Sequence, residues 1–189
     1  MTDAADQSTF PSVVLRSDRL LLRPFGPADI GDVVAACSDP ETQRWIPSEA
    51  PYTVEVGTAW CTELAEADRL RGAGVHFAFG PEGERLSGCV GLNRTDWRSR
   101  VTEVGYWTGP WARGLGHTTE AVAHVSRWAI DEQGFERVEL LAEPDNAASN
   151  RVAEKAGFQR EGVARNKSLV RDRRADLVVW SLIPADLRS

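Results

Sequence analysis

The sequence predicts an α/β (α+β) fold: one mixed sheet with helices on both faces. Two short apolar runs joined by a Gly-Pro-containing turn indicate an early hairpin, and a second hairpin closes the chain. Between them the pattern changes to strand, loop, helix, strand and helix. Alternation of that kind places helices against a sheet. Because a ligand crevice forms where parallel strands meet such loops, we expect the binding site in this middle unit.

The first half of the chain contains three predicted strands and two predicted helices. The first strand, residues 19–25, is interrupted at Pro24, which cannot donate to a sheet. The first helix, residues 28–38, carries apolar side chains at helical spacing and ends at Asp39-Pro40. The remaining elements of this half are a helix over residues 53–71 and strands over residues 75–79 and 86–92.

The second half begins with a strand over residues 103–108 and a glycine-rich loop over residues 109–116. Gly116 precedes the next helix and Gly157 follows the short helix after it, as is usual at turns and helix ends. The elements that follow are a helix to about residue 132, a strand over 138–142, a short helix over 149–156, and two closing strands over 158–170 and 177–183 joined by a polar turn at 171–174.

Composition limits the classes of protein that the chain can represent. With 189 residues, 42% of them hydrophobic and 26% charged, it suits one globular domain. We expect residues 1–11, which are polar, to be disordered, and residues 12–189 to form the single domain. The net charge of −6 argues against nucleic acid as a partner, and no apolar run approaches the roughly 20 residues that span a membrane.

The three cysteines, Cys37, Cys61 and Cys89, are too far apart in sequence to form a Cys-x-x-Cys pair. We therefore expect buried apolar thiols and no metal site. An odd number of cysteines and the absence of a signal-peptide pattern favour the cytoplasm as the compartment.

The loop before the long helix has the composition of an anion site. Gly114 and Gly116 allow tight turns, and the amides at a helix start have no partner inside the helix. The helix dipole adds about half a positive charge there, so phosphates can bind to main-chain groups. The residues alone leave two alternatives open: a phosphate-binding loop, or a plain strand–helix connection whose glycines only make the turn.

This segment resembles the pyrophosphate loop of the GNAT superfamily of N-acetyltransferases, whose pattern Gln/Arg-x-x-Gly-x-Gly/Ala falls on residues 111–116, with Trp111 in place of Gln or Arg. Residues 116–121, Gly-His-Thr-Thr-Glu-Ala, are similar to the RimJ/RimL branch. Residues 143–162 and 176–182 match further motifs of that branch. The resemblance implies a GNAT-like, mostly antiparallel sheet of about seven strands with a splayed central pair, and acetyl-CoA as cosubstrate.

The resemblance also implies which residues contact the cofactor. Main-chain amides of the fourth predicted strand would face the thioester and the pantetheine arm, and the loop amides would face the diphosphate. Arg113 would add a charged contact. The expected cofactor-binding residues are Tyr106, Trp107, Trp111, Arg113, Gly114, Leu115, Gly116, His117, Thr118, Asn146 and Ser149.

Three residues are candidates for catalysis. The family position of Glu103 on the fourth strand makes it the first candidate base, against the alternative of an exposed strand carboxylate. His76 is the second candidate base, against a partly buried structural histidine. Ser149 would protonate the leaving thiolate, and Asn146 would bond the pantetheine arm. The alternatives for these two are a helix cap and a turn residue.

The predicted activity is acyl transfer from acetyl-CoA to a primary amine, either a protein N-terminus or a small molecule. Alternatives are a CoA-binding sensor or scaffold with little catalysis, and succinyl-CoA as donor. The expected partners are acyl-CoA and the amine, with a homodimer left open. We expect the amine pocket to be built by residues 45–52, the strand of His76 and the terminal hairpin, with Trp45, Tyr52 and Trp97 as aromatic walls.

Overall fold

A single sheet organises the chain in the computed structural model, which describes residues 8–46, 50–170 and 173–188. Within those residues eight strands lie in the order β1-β2-β3-β4-β5-β6-β8-β7. Neighbouring strands are antiparallel except for the parallel pair β5 and β6. The strands are β1 (Leu15–Arg16), β2 (Leu21–Arg23), β3 (Val75–Gly80), β4 (Gly88–Asp96), β5 (Val101–Thr108), β6 (Arg137–Ala142), β7 (Gln159–Val170) and β8 (Arg173–Leu182).

Six α-helices cover this sheet in the same described ranges. A π-helical segment, Trp60–Leu64, joins the third helix to the fourth, so residues 54–70 run as one rod. The helices are α1 (Ile30–Cys37), α2 (Pro40–Trp45), α3 (Val54–Ala59), α4 (Ala65–Leu70), α5 (His117–Asp131) and α6 (Ala147–Lys155).

Local chemistry explains where these helices begin and end. Asp39 caps α2 by accepting from the Thr42 amide at 2.9 Å, and Pro40 occupies the first helical position. After α4, Gly72 adopts φ +68°. A Cβ at Gly72 would lie 1.8 Å from the carbonyl oxygen of Ser8, so glycine is required there by both conformation and space.

Two apolar clusters lie on opposite faces of the sheet, because successive strand side chains alternate. Phe77 and Val104 belong to the larger cluster, which is packed against α5 and α6. Ala78 belongs to the smaller cluster beneath α1 and the π-helical segment. The predicted sheet with helices on both faces is therefore confirmed. The three cysteines are buried free thiols, as expected.

The structure differs from the sequence expectation at several short elements. Strand β1 is an eighth strand, and α2 was not predicted, because two- and six-residue elements carry little periodicity. Of the polar turn expected at 171–174, residues 171–172 lie outside the described residues, and β8 already includes Arg173.

The N-terminal segment that we expected to be disordered lies partly outside the described chain, since residues 1–7 are not described. Its later part enters the core: Phe10 is 1% exposed, and its ring centroid lies 4.7 Å from that of Trp97. Trp97 also donates from Nε1 to the Gly72 carbonyl at 2.8 Å. The expectation that Trp97 lines the amine pocket is therefore wrong, because this half-buried ring packs against the larger core cluster.

Candidate active site

Strands β5 and β6 diverge in the middle of the sheet. Their parallel pairing runs from Val101↔Arg137 to Glu103↔Glu139 and then stops. Both strands continue beyond this point, β5 to Thr108 and β6 to Ala142. The result is a wedge-shaped gap that opens toward the C-terminal ends of the two strands. The splayed central pair is thus confirmed.

The hydrogen-bond alternation of β5 decides which main-chain groups face this gap. The Gly109 amide donates to the Ser87 carbonyl at 2.9 Å, while Gly88 and Thr108 are Cα partners. In an antiparallel ladder this pattern directs Trp107 toward β4, and Tyr106 and Thr108 toward the gap. The Tyr106 amide therefore points into the gap, the direction expected of a main-chain donor to the thioester. The Trp107 amide, by contrast, points to the neighbouring strand, and Thr108 faces the gap in its place.

The loop that follows β5 presents a run of unpaired amides. Gly114 and Gly116 adopt φ +79° and +80°, and α5 begins directly after them. No amide of residues 113–119 donates a hydrogen bond to any part of the chain that the structure describes, and the first that does is Glu120, to Gly116. Helix N-termini carry partial positive charge. This loop can therefore hold an anion by its main chain.

Side chains of the loop fix its shape from behind. The Arg113 guanidinium bonds Asp39 at 2.5 Å and Thr42 at 2.9 Å, so it anchors the loop to α2. Trp111 donates to the Leu86 carbonyl at 2.7 Å. Leu115, at 53% exposure, points to solvent. The expected cofactor contacts of Trp111 and Arg113 therefore fall on side chains that are already engaged with the protein.

The first turn of α5 is tied to the sheet beneath it. His117 shares a hydrogen bond from Nδ1 with the Ser87 hydroxyl at 2.9 Å. The hydroxyls of Thr118 and Thr108 lie 2.5 Å apart, which joins the helix start to the end of β5. These contacts hold the free amides next to the gap between β5 and β6.

Across the gap, α6 brings Asn146 and Ser149 toward β5. The Asn146 side chain accepts from the Ser149 amide at 3.0 Å and caps the helix. The Tyr106 hydroxyl donates to the Ser149 carbonyl at 3.4 Å, and burial raises the pKa of Tyr106 to about 12. The Ser149 hydroxyl bonds no residue that the structure describes, so it is available to a ligand.

Glu103 lies where the pairing of β5 with β6 ends. Its side chain is 21% exposed, and Arg94 donates to Oε2 at 3.0 Å. Burial raises the pKa of Glu103, Arg94 and Lys167 oppose that shift, and Glu139 adds to it, so the pKa lies above its ordinary value. A carboxylate with raised proton affinity at the edge of a cleft suits a general base.

No hydrogen bond joins His76 to Glu103 in the described chain, and β4 lies between their strands, β3 and β5. The His76 ring lies 4.7 Å from Trp60, its Nε2 is 3.2 Å from Asp68, and its side chain is 6% exposed. Burial lowers the pKa of His76, although Asp68 opposes the shift. A cavity of about 310 Å³ adjoins this histidine, lined also by Phe25 and Arg69. These contacts favour a structural role for the imidazole.

Comparison with known proteins agrees with this geometry. The profile of the acetyltransferase (GNAT) domain matches residues 19–159. The chain belongs to the GNAT acetyltransferase family. It is therefore an N-acetyltransferase, and enzymes of this family take the acetyl group from acetyl-CoA. The free amides of residues 113–119 and the gap beside them fit such a ligand.

Individual relatives of this GNAT chain are consistent with the resemblance to the RimJ/RimL branch. It is 26% identical over 171 residues to the uncharacterized N-acetyltransferase YoaA of Bacillus subtilis, covering 90% of this chain and 96% of that protein. It is 26% identical to the ribosomal-protein-serine acetyltransferase of Escherichia coli, over 53% of this chain and 56% of that protein. The fold superposes on Mycobacterium smegmatis RimJ in complex with CoA-disulfide with a TM-score of 0.79, at 21% identity, over 90% and 84% of the two chains.

Two features are absent from the described residues of this GNAT chain. None of its helices has the length and apolar character needed to cross a bilayer. Among the same residues, no group of three or more His, Cys, Asp or Glu side chains is arranged to hold a metal ion.

Sequence reasoning missed two residues of this acetyltransferase that adjoin the loop. The Arg19 guanidinium donates to the Leu115 carbonyl at 3.3 Å, and it would be the nearest neighbour, at 3.5 Å, of a Cβ on Gly116. Glu120 accepts from Arg19 and from Ser17. The glutamate was visible within the branch motif, but its partners lie about a hundred positions earlier and only the fold reveals them.

Proposed function

We propose that this acetyltransferase acts in the cytoplasm and moves an acetyl group from acetyl-CoA to a primary α-amine, either a protein N-terminus or a small molecule. The observation that carries the proposal is the run of unpaired amides at residues 113–119 beside the gap. Three or four hydrogen bonds to a charged group, at about 1.5–3 kcal/mol each, suffice to hold a diphosphate. The relatives described as RimJ bound to CoA-disulfide and as a ribosomal-protein-serine acetyltransferase support this choice.

The residues around the gap divide the work of the reaction. The bound thioester supplies the activated acyl group. Main-chain amides of Tyr106 and Thr108 face the gap and can donate to an acyl oxygen. Glu103 takes the proton that the amine loses as its nitrogen–carbon bond forms. The free hydroxyl of Ser149 donates a proton to the sulfur as the carbon–sulfur bond breaks.

The strength of the base favours an α-amine over a lysine. An α-amine titrates near 7.7–8.0 and a lysine near 10.4. Near pH 7 the neutral lysine therefore costs roughly 3.5 kcal/mol more to populate, at about 1.36 kcal/mol per pKa unit. Burial raises the pKa of Glu103 while Arg94 and Lys167 oppose the rise, and a carboxylate is in any case a much weaker base than a lysine amine. An acceptor that is largely neutral near pH 7 suits it better.

The test is a panel of amines assayed with acetyl-CoA and read by mass spectrometry. Matched peptides would carry either a free N-terminus or an acetylated N-terminus with one lysine. We expect acetylation of the free N-terminus, and about 100-fold or more slower turnover with Glu103→Gln. Tight CoA binding without acetylation of any amine would contradict the proposal, and equal turnover of the two peptides would contradict the preference for α-amines.

A further inference from the structure

Resting on the proposed function, we propose that Asn93 is the acceptor-specificity residue. Its carboxamide would hydrogen-bond the amino end of an α-amino carbonyl compound, such as the first residue of a peptide, and so present the amine to Glu103. The carboxamide offers an acceptor for the amine N–H and a donor for the neighbouring carbonyl oxygen. A plain alkylamine offers only the first of these groups.

The sheet register places Asn93 beside the candidate base. Asn93 on β4 and Glu103 on β5 are Cα partners, so their side chains stand on the same face of the sheet. Glu103 in turn pairs with Glu139, at the last contact before β5 and β6 diverge. Asn93 therefore lies one strand from the mouth of the gap, on the face that carries the carboxylate.

The sheet surface next to Asn93 is formed by the main chain of two glycines, Gly105 and Gly91, and carries no side chain there. Gly105 is two residues after Glu103 on the same face, and Asn93 Nδ2 lies 3.0 Å from the position that a Cβ on Gly105 would take. Gly91 is the Cα partner of Gly105. Gly91 is already covered by the His76 ring, whose Nδ1 lies 2.5 Å from the position that a Cβ on Gly91 would take. The uncovered part of this glycine surface is therefore at Gly105, in contact with the Asn93 carboxamide.

Both polar side chains have free capacity. Asn93 is half-buried, and its side-chain carboxamide makes no hydrogen bond to the described chain. The Thr102 hydroxyl bonds the main-chain carbonyl of Asn93, not the carboxamide. Glu103 uses Oε2 for Arg94, and no described residue donates to Oε1. A half-buried carboxamide without a partner loses hydration and gains nothing in return. A ligand with a matching acceptor and donor restores those bonds.

The experiment compares an amine that has a carbonyl on its α-carbon with one that has none. A serine-initiated peptide carries a primary amine, a hydroxyl and that carbonyl, whereas ethanolamine carries the amine and the hydroxyl alone. We expect Asn93→Ala to lower kcat/KM about 10-fold for the peptide, which loses both contacts, and only about 3-fold for ethanolamine, which loses the amine contact alone. Taking the variant-to-wild-type ratio for each amine cancels their different pKa values. The Kd for CoA and the Tm should not change.

Gly105→Ala provides a second variant that removes no polar group. A methyl group there must shift the carboxamide by a few tenths of an ångström, so we expect about a 3-fold loss for the peptide in the wild-type background and no further loss in the Asn93→Ala background. An equal loss for both amines in Asn93→Ala, or additive losses in the double variant, would overturn the inference. If no amine is acetylated, or if Glu103→Gln is fully active, the proposed function fails first.

Discussion

Glu120 accepts two hydrogen bonds from Arg19, one from the main-chain amide at 2.9 Å and one from Nε at 2.6 Å. The hydroxyl of Ser17 adds a third at 2.6 Å. Glu120 stands in the first turn of α5, so this carboxylate joins the segment between β1 and β2 to the helix that follows the proposed anion-binding loop. A carboxylate in a first turn also interacts favourably with the helix dipole.

Replacing Glu120 by Gln should lower the free energy of unfolding by about 1–2 kcal/mol at pH 7 and weaken CoA binding, because charged hydrogen bonds become neutral ones. Burial alone would raise the pKa of Glu120, but its bonds to Ser17 and Arg19 outweigh this and hold the pKa below its ordinary value. Their stabilisation is complete above the unfolded pKa and is lost as the pH falls through the lowered folded pKa. Urea unfolding of both proteins at pH 7 and at acid pH would measure it.

The control for this change is Glu82→Gln. Glu82 also pairs with an arginine, Arg16, at 2.7 Å, but both side chains are more than 60% exposed. Exposed pairs contribute little, so this variant should unfold like the wild type. Equal behaviour of the two variants would show that the Glu120 contact has no special role.

Gly116→Ala should cost about 1 kcal/mol of stability and weaken CoA binding, because an L-residue is strained at φ +80°. The loss is conformational, since a Cβ there would meet only Arg19 at 3.5 Å. Gly31→Ala is the matched control: Gly31 lies within α1, and a Cβ there meets nothing within 4 Å. That variant should gain about 0.5–1 kcal/mol and bind CoA normally. Calorimetric titration with CoA and urea unfolding would separate the two effects.

Arg94→Ala should move the acid limb of the kcat/KM profile to higher pH. Burial raises the pKa of Glu103 and Arg94 lowers it, so removal of the guanidinium raises the pKa further. The base is then protonated over a wider range, and activity falls on the acid side first. Rates from about pH 5 to 9 at saturating acetyl-CoA would show this shift. Arg94→Lys, which keeps the charge, should stay close to the wild-type profile, and a profile unmoved in both variants would argue against Glu103 as the base.

Phe10→Ala should destabilise the protein by about 3–5 kcal/mol, the usual cost of removing a buried aromatic ring. Phe10 is 1% exposed and its ring lies 4.7 Å from Trp97 and 5.9 Å from Phe135. Phe10→Leu retains most of the apolar volume and should cost clearly less. Chemical denaturation followed by tryptophan fluorescence measures both, and a loss below about 1 kcal/mol for the alanine variant would contradict the packing.

Features encoded within a few neighbouring residues were predictable. The loop glycines and the helix after them followed from local backbone rules, and both stand where the pattern placed them. Roles that depend on distant partners were not. Trp97 was predicted to line the pocket, but its ring packs on Phe10, and this contact joins residues that are far apart in sequence. Arg113 was expected at the phosphates, yet Asp39 lies 74 positions before it.

The direction of the Trp107 amide belongs to the same class of error. The residues of β5 that face the gap are determined by the alternation of hydrogen bonds with β4, which the Gly109 to Ser87 contact and the register of the two strands show. A one-residue change of register would exchange every outward amide for an inward one. Strand position can be read from composition, but this phase cannot.

Reading a cosubstrate through peptide groups has an evolutionary consequence. Because the amides of residues 113–119 exist whatever side chains accompany them, most substitutions around this loop would leave the proposed phosphate contacts intact. Sequence change is restricted mainly at Gly114 and Gly116, where the backbone has a positive φ. Lineages can therefore diverge far in sequence while retaining these main-chain donors, and they remain free to reshape the opposite wall of the cleft.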